Sequence, residues 1–396
     1  MPFINLQTLT RQYQSQPEVC VAQLLENLES GVLKPDNFSF RDLFVALHPE
    51  GRGRELLHDI SFQRSGGATL ALREAANYVG TGDFANITGQ IAITKVKEAF
   101  NSPTLLWQQL CTVVPTVFQL GERVPGVGGI SPTHIEAIGE GEEYPKLGLN
   151  ENWTDTQPTI KHGAELGFTR ESIVGDRTGI MLQQLGAAGE AGGVVVEKEI
   201  IDCATASNSN NSYNRNGVSL NTYLLSGAYI NDQTGNALDG SANEWRAIEK
   251  ADLLFDAMVS PDTGEPIGIP QNPQLLLPSA LLKTGERIIT ATGVATVDMR
   301  AQATTIRTEG TNPLGTRRPQ ILSNQYVKAR TSSATKWYYG DFKRAIWWMQ
   351  VWGIEVLDAV DNNEVSFTRD IWSRRRIGFK GRAQMMEPRY LTRNDT

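Results

Sequence analysis

Trp337-Tyr338-Tyr339-Gly340-Asp341-Phe342-Lys343 leads on to Trp352-Gly353-Ile354-Glu355-Val356, and then to Phe367-Thr368-Arg369-Asp370-Ile371 with Arg374, Arg375 and Arg376. Five of the eight tryptophans fall between Trp337 and Trp372. Rings that are large, mostly apolar and polar at one tip gain most when buried against other protein, so this segment belongs in a core or between subunits. Trp347, Trp348 and Trp352 could also stack on bases, but the core explains them more economically. Arg374, Arg375, Arg376, Lys380 and Arg382 fall where strand alternation sends neighbours to opposite faces, so only a subset can meet any one partner. That argues for pairing with carboxylates rather than for a nucleic-acid patch.

Working back toward the N-terminus, Leu275–Leu277 reads as a buried strand, and Pro278–Ile289 as a helix with proline in its first turn. Trp245–Val259 is an amphipathic helix through Ile248, Ala251, Phe255 and Met258. Asn208–Asn216 is a loop. Gly175–Ser207 predicts a long helix with Met181, Leu185, Ala188, Gly192 and Val195 on one face. Gly186, Gly189, Gly192 and Gly193 each cost it about 1 kcal/mol against alanine, so close packing must hold it.

Ile130–Phe168 has strand-like ends, Ile135–Ile138 and Thr159–Phe168. Its polar middle carries Glu140, Glu142, Glu143, Tyr144, Lys146 and Trp153. A two-stranded arm fits, and because an isolated hairpin is marginal in water, it implies a surface on a partner subunit. Gly126, Gly128 and Gly129 form a hinge at its base. Val113, Val114, Val117, Phe118 and Leu120 suggest a strand. The first hundred residues read as helical, with segments near Val21–Leu28, Phe40–Leu47, Ala68–Asn77 and Thr88–Phe100. The last of these places Ile93, Val96 and Phe100 on one side.

At 396 residues the chain can bury one large or two modest cores. Its net charge of −7 argues against a protein built to grip phosphate backbones. Cys20, Cys111 and Cys203 are odd in number and far apart, so neither a disulfide framework nor a zinc site is expected, in keeping with a reducing cytoplasm. No membrane span or signal peptide is expected.

The quoted segments resemble the C-terminal signature of the major capsid proteins of tailed double-stranded DNA bacteriophages, and Met386-Glu387-Pro388-Arg389-Tyr390 is similar to that family's last strand. The order of elements from about Phe84 onward resembles the family as well. The resemblance implies an α+β, Hong Kong 97-type fold. Its expected parts are a helical, possibly scaffold-like region 1–81, an N-arm and the start of a peripheral domain over 82–125, and an E-loop over 126–168. A spine helix over 169–207, an axial domain over 208–336, and return strands over 337–396 follow.

The resemblance also implies a structural subunit of an icosahedral phage or prophage head, assembled in the host cytoplasm into hexamers and pentamers. Partners would be portal and possibly decoration or scaffolding proteins, with packaged double-stranded DNA touched only weakly and non-specifically. Assembly contacts are expected at Glu140, Glu142, Glu143, Tyr144, Lys146 and Trp153 of the E-loop. They are also expected at Asp370, Arg374, Arg375 and Arg376, which would pair with a neighbour's E-loop carboxylates. Gly340, Asp341 and Phe342 form the core signature. Members that crosslink join an E-loop lysine to an asparagine where this chain has Asp370, so Lys146 and Lys161 are not expected to crosslink. Head expansion would flex at the glycines of the hinge and spine helix.

The alternative is an encapsulin-like compartment shell. An enzyme finds no support: His48, His58, His134 and His162 lack metal or catalytic spacing, and no cofactor, metal or catalytic residue is expected. Glu140, Glu142 and Glu143 lack calcium-loop spacing and read as a solvated or inter-subunit loop. Gly126–Gly129 precedes no phosphate-loop lysine.

Overall fold

The computed structural model describes residues 81–126, 137–140, 152–169, 180–207, 213–227, 229–238, 245–261, 264–290, 293–297, 306–312, 314, 318–358 and 371–395, with Gln23, Glu26 and Asn27. In chain order the elements begin with α1 (Thr81–Phe100), α2 (Trp107–Leu110), β1 (Thr112–Pro115), β2 (Arg123–Pro125), β3 (Trp153–Asp155), β4 (Ile160–Thr169) and α3 (Ile180–Thr205). They continue with β5 (Tyr213–Arg215), β6 (Val218–Leu220), β7 (Asp232–Gln233), α4 (Trp245–Ala257), β8 (Gln274–Leu277), α5 (Leu282–Thr290), β9 (Gly293–Val297) and β10 (Ile306–Thr311). The last are β11 (Gln320–Ser323), α6 (Gln325–Thr331), β12 (Trp337–Gly340), α7 (Phe342–Ala345), β13 (Ile346–Asp358), β14 (Ile371–Met385) and β15 (Leu391–Asn394). The predicted helices near Phe40–Leu47 and Ala68–Asn77 lie outside the described residues. Of the first predicted helix, Gln23, Glu26 and Asn27 are helical.

Two compact units divide the chain: 1–105, 161–195 and 352–380 form one, and 106–160, 196–351 and 381–396 the other. In the first, α1 packs against the N-terminal half of α3. Sequence periodicity places the buried face of α3 on Met181, Leu185, Ala188, Gly192 and Val195. The observed face is instead Leu182, Leu185, Gly186, Gly189 and Gly193, with Val195 37% exposed. A Cβ on Gly189 would stand 2.5 Å from the Val96 carbonyl oxygen, and one on Gly193 would stand 2.8 Å from that of Phe100. These glycines are therefore points of close backbone approach. α1 also starts earlier than Thr88, and its buried side is Ile91, Ala92, Val96 and Phe100, with Ile93 only half-buried.

The contrast predicts opposite signs for the same substitution on adjacent turns. At Gly192 an added Cβ would meet only ordinary contacts, 3.4 Å from Phe100 and 3.5 Å from Phe379. Gly192→Ala is expected to stabilise by up to about 1 kcal/mol. Gly189→Ala is expected to destabilise by about 1–3 kcal/mol, because backbone must move. Urea unfolding of the two variants checks both signs.

The second unit is organised by a five-stranded sheet in the order β11-β8-β12-β15-β7. β8 is buried throughout, as its Leu-Leu-Leu run requires of a strand covered on both faces. Alternation sends Leu275, Leu277, Trp337 and Tyr339 to one face, where α4 (Ile248, Ala251, Phe255) and α5 (Ile288, Ile289) close the core. The Trp337 indole N–H donates to the Asn236 carbonyl at 2.9 Å and the Tyr339 hydroxyl to Asp252 at 3.0 Å, so neither polar tip is stranded. On the other face Tyr338 meets Tyr223, with ring centroids 5.7 Å apart. α4 and the α5 region match the sequence reading closely, α5 being preceded by a short 3-10 turn, Ser279–Leu281. The predicted terminal strand Met386–Tyr390 is corrected: Pro388–Tyr390 is a 3-10 turn, and the strand is β15.

β1 pairs in parallel with β13, from Thr112↔Trp347 to Pro115↔Gln350. The strand expected to run on to Leu120 ends at Pro115, its last ladder bond being the Thr116 N–H donating to the Gln350 carbonyl at 2.9 Å. Beyond it Val117, Phe118 and Leu120 stand in solvent. Trp348 and Met349 of β13 are buried, and Gly381 is needed where β14 crosses them: a Cβ there would lie 2.7 Å from the Trp348 ring.

Behind β14, the Glu199 carboxylate on α3 accepts the Ala383 N–H at 3.4 Å and faces Arg382 at 3.9 Å, with Asp202 nearby on its own helix. Burial pushes the Glu199 carboxyl up to about 7, partly offset by the Ala383 N–H and Arg382. Raised in the folded state, it contributes stability that is full below its ordinary 4.5 and lost as pH rises through about 7. Glu199→Gln is thus expected to match the parent at pH 4.5 and to exceed it by about 3 kcal/mol at pH 8, as read by denaturant unfolding of free subunits.

Candidate functional site

The Gly340-Asp341-Phe342 signature sits where β12 turns into α7. Gly340 has φ +144, and a Cβ there would stand 2.0 Å from the Tyr390 carbonyl oxygen, so only glycine fits. Asp341 caps α7 by accepting the Arg344 N–H at 3.2 Å, while its own N–H donates to Tyr390 at 2.9 Å. Phe342 is fully buried, and Arg344 lies over the Tyr390 ring at 4.1 Å while donating to its hydroxyl at 2.8 Å. The signature joins α7 to the turn before β15, which makes it a folding device.

Around that turn lies a buried polar network that pattern reading missed. Arg389 and Glu387 pair at 2.9 Å with both side chains nearly inaccessible, and the Tyr213 hydroxyl donates to Glu387 at 3.3 Å. The Asn231 amide donates to the carbonyls of Thr222, Pro388 and Leu391, at 2.9, 3.1 and 3.2 Å. Its Oδ1 accepts the Leu224 N–H at 2.9 Å. Glu197 on α3 accepts the Leu106 N–H at 2.6 Å and the Asn324 amide. Periodicity is blind to such residues. The signal available was the charged pair Glu387 and Arg389 flanking Pro388 between apolar neighbours, polar groups that burial obliges to find partners.

In the first unit, β13, β14 and β4 are neighbours in that order. Along β14, Arg375, Ile377 and Phe379 are buried, while Arg374, Gly378 and Lys380 are half-buried and Arg376 is exposed. The outer side therefore collects cations. Lys161 and Lys380 both stand over the Trp352 ring, at 5.9 and 5.4 Å. Arg374 pairs with Glu165 of its own β4 at 3.4 Å, where the sequence reading looked for a neighbour's carboxylate. Arg376, Lys161 and Lys380 are the other cationic residues of this side. Arg375 points to the buried side, away from any partner on the outer one. Asp370 lies outside the described residues. His162, expected at a surface or interface, is half-buried and stacks on Phe379 at 5.1 Å, and burial holds its imidazole below the ordinary range.

The β2–β3 ladder belongs to the second unit. β2 and β3 pair antiparallel, Arg123↔Asp155 to Pro125↔Trp153, within a four-stranded sheet ordered β2-β3-β5-β6. Arg123 lies over Trp153 at 4.8 Å and pairs with Asp155 at 3.3 Å. The Trp153 N–H donates to the Asn216 side chain at 3.0 Å. Trp153 is therefore held by contacts within its own chain. The Gly126 N–H donates to Asn152 at 3.0 Å, and a Cβ at Gly126 would meet only ordinary contacts, so this residue shows no need for glycine. Gly121 does: φ is +95, and a Cβ would stand 2.4 Å from the Thr156 carbonyl oxygen. Gly128, Gly129, Glu142, Glu143, Tyr144 and Lys146 lie outside the described residues, and Glu140 is exposed.

Cys111 and Cys203 are free and buried, with the Cys111 thiol pushed up to about 12 by burial. Among the described residues no group of metal-ligating side chains converges, and no helix is long and apolar enough to cross a membrane.

A family model described as "Phage capsid protein" matches residues 154–394, more than half of the chain. A search of curated proteins finds no match. Among solved structures the chain is similar to Gordonia phage Cozz at 12% identity and TM-score 0.41, over 73% of this chain and 85% of that one. It is similar to a virus-like particle from Pyrococcus furiosus at 11% identity and TM-score 0.41, over 76% and 97% of the two chains. A phage-related protein from Bordetella bronchiseptica RB50 is similar at 11% identity and TM-score 0.43, over 76% and 95%.

Proposed function

Because the chain belongs to the phage capsid protein family, with the α+β, Hong Kong 97-type fold and a structural place in the virion shell, we propose that it assembles into hexamers and pentamers closing an icosahedral head around packaged double-stranded DNA. The family match over residues 154–394 carries this reading. In it, residues 126–168 are the E-loop, 169–207 the spine-helix segment, 208–336 the axial domain and 337–396 the return strands.

Charge supports the arm's role. Glu136, Glu140, Glu142 and Glu143 fall within one stretch of the arm that contains no Lys or Arg, while Lys161, Arg376 and Lys380 gather on the outer side of the β13-β14-β4 sheet. The arm of one subunit lying on that side of the next would set opposite charges together and enlarge the interface toward the roughly 2,000–5,000 Å² of obligate assemblies. Repetition then makes a stable shell from contacts weak enough to correct during assembly. DNA is held without tight binding, as a net charge of −7 favours, with portal and any decoration or scaffolding proteins completing the head in the host cytoplasm.

Electron microscopy of the protein expressed alone, with nuclease protection of particles from the native source, tests the proposal. Icosahedral shells, with protected DNA in the native particles, are expected. Shells packed with protein and lacking DNA would instead make it a compartment. A monomer that never assembles, even with its neighbouring genes, would overturn both.

A further inference from the structure

Residues 116–122 form a short knuckle between β1 and β2, and its side chains are arranged against the usual rule. Val117 is 82% exposed, Phe118 56% and Leu120 88%, and Ile160 beside it is 41% exposed. The whole run from Thr112 to Gly121 contains no Asp, Glu, Lys or Arg.

A loose loop could fold such side chains inward, but this one is held. The Phe118 N–H donates to the Thr116 hydroxyl at 3.1 Å, and that hydroxyl donates to Glu122 at 2.7 Å. The Glu122 N–H donates to the Thr156 hydroxyl at 2.8 Å, which donates back to the Glu122 carbonyl at 3.0 Å. Gln119 accepts the Thr159 N–H at 3.0 Å, and Gly121, at φ +95, presses against Thr156. The backbone is fixed on both sides, and the apolar side chains project outward.

We infer that this knuckle is a docking surface for a second copy of the chain, the neighbour that receives the arm. The inference rests on the shell reading above. The occupant follows from continuity: the residues pinning the knuckle, Glu122, Thr156 and Thr159, flank the β2–β3 ladder from which the arm leaves at Gly126. A subunit engaged by the arm meets the arm's root. An uncharged apolar surface cannot recruit DNA phosphates, and exposed apolar side chains on a rigid mount mark a protein interface.

A cysteine probe tests this directly. Leu120→Cys is placed in a Cys20→Ser background, with Cys111 and Cys203 buried, and maleimide labelling is timed for free subunits and for assembled shells. Labelling at least tenfold slower in shells is expected. In parallel, Val117→Ser with Phe118→Ser is expected to raise the subunit concentration needed for assembly at least tenfold, with the subunit's melting curve unchanged. Equal labelling in shells and free subunits overturns the knuckle as an interface while leaving the shell reading intact. Failure of the parent chain to form shells removes the shell reading, and this inference with it.

Discussion

Gly340→Ala is expected to cost about 4 kcal/mol, enough to lose most soluble subunit, because two independent penalties add. One is conformational: φ +144 lies in the half of backbone space that a Cβ makes strained. The other is steric, with the Tyr390 carbonyl oxygen 2.0 Å and the Leu391 Cα 3.0 Å from where the methyl would go. Both obstacles are backbone, so no rotamer change relieves them. Moving Leu391 would break its pairing with Gly340 and loosen the Asp341 N–H bond to Tyr390. Soluble yield and thermal unfolding read the effect. Alanine at Gly192, unstrained, is the control that keeps a general intolerance of alanine from being mistaken for it.

Arg389→Met is expected to destabilise by about 3–5 kcal/mol, since it strips the counter-charge from a Glu387 carboxylate that is almost wholly inaccessible. The loss includes more than the ion pair: Arg389 also covers the Tyr229 ring at 4.7 Å, and Glu387 accepts the Arg389 backbone N–H at 3.2 Å. The double variant Glu387→Leu, Arg389→Met separates these contributions. If the buried charge dominates, the double variant loses less than Arg389→Met alone. Strictly additive losses in denaturant unfolding would show that the two side chains act independently.

Which elements were legible in the sequence follows from what apolar periodicity can see. α4 and β8 were found nearly to the residue, because Ile248, Ala251, Phe255 and Leu275–Leu277 are large, apolar and buried. α3 was found as a helix but given the wrong face, because its contact stripe is made of Gly186, Gly189 and Gly193, which carry no hydrophobic signal. The apolar residues nearest that spacing lie to one side. β1 was drawn too long for the reverse reason. Val117, Phe118 and Leu120 are apolar without being core, and pattern alone cannot distinguish a residue buried by its own chain from one left for another. Trp153, expected at an assembly contact, lies over Arg123 in the β2–β3 ladder. The buried polar residues Asn231, Glu387 and Glu197 left no trace in periodicity, since each also has partners far away in sequence, 160 residues for Asn231 and Leu391 and 174 for Glu387 and Tyr213.

The position of β15 bears on synthesis. It lies inside the five-stranded sheet, with β12 on one side and β7 on the other. A nascent chain that has made β12 shows the ribosome's surroundings an unsatisfied strand edge until residues 391–394 emerge, roughly 3–10 s later at bacterial elongation rates of about 5–20 residues per second. An interrupted translation product stops short of the strand that closes the sheet and the carbonyls that Asn231 gathers. Until residues 391–394 have been made, the sheet lacks the strand that sits between β12 and β7.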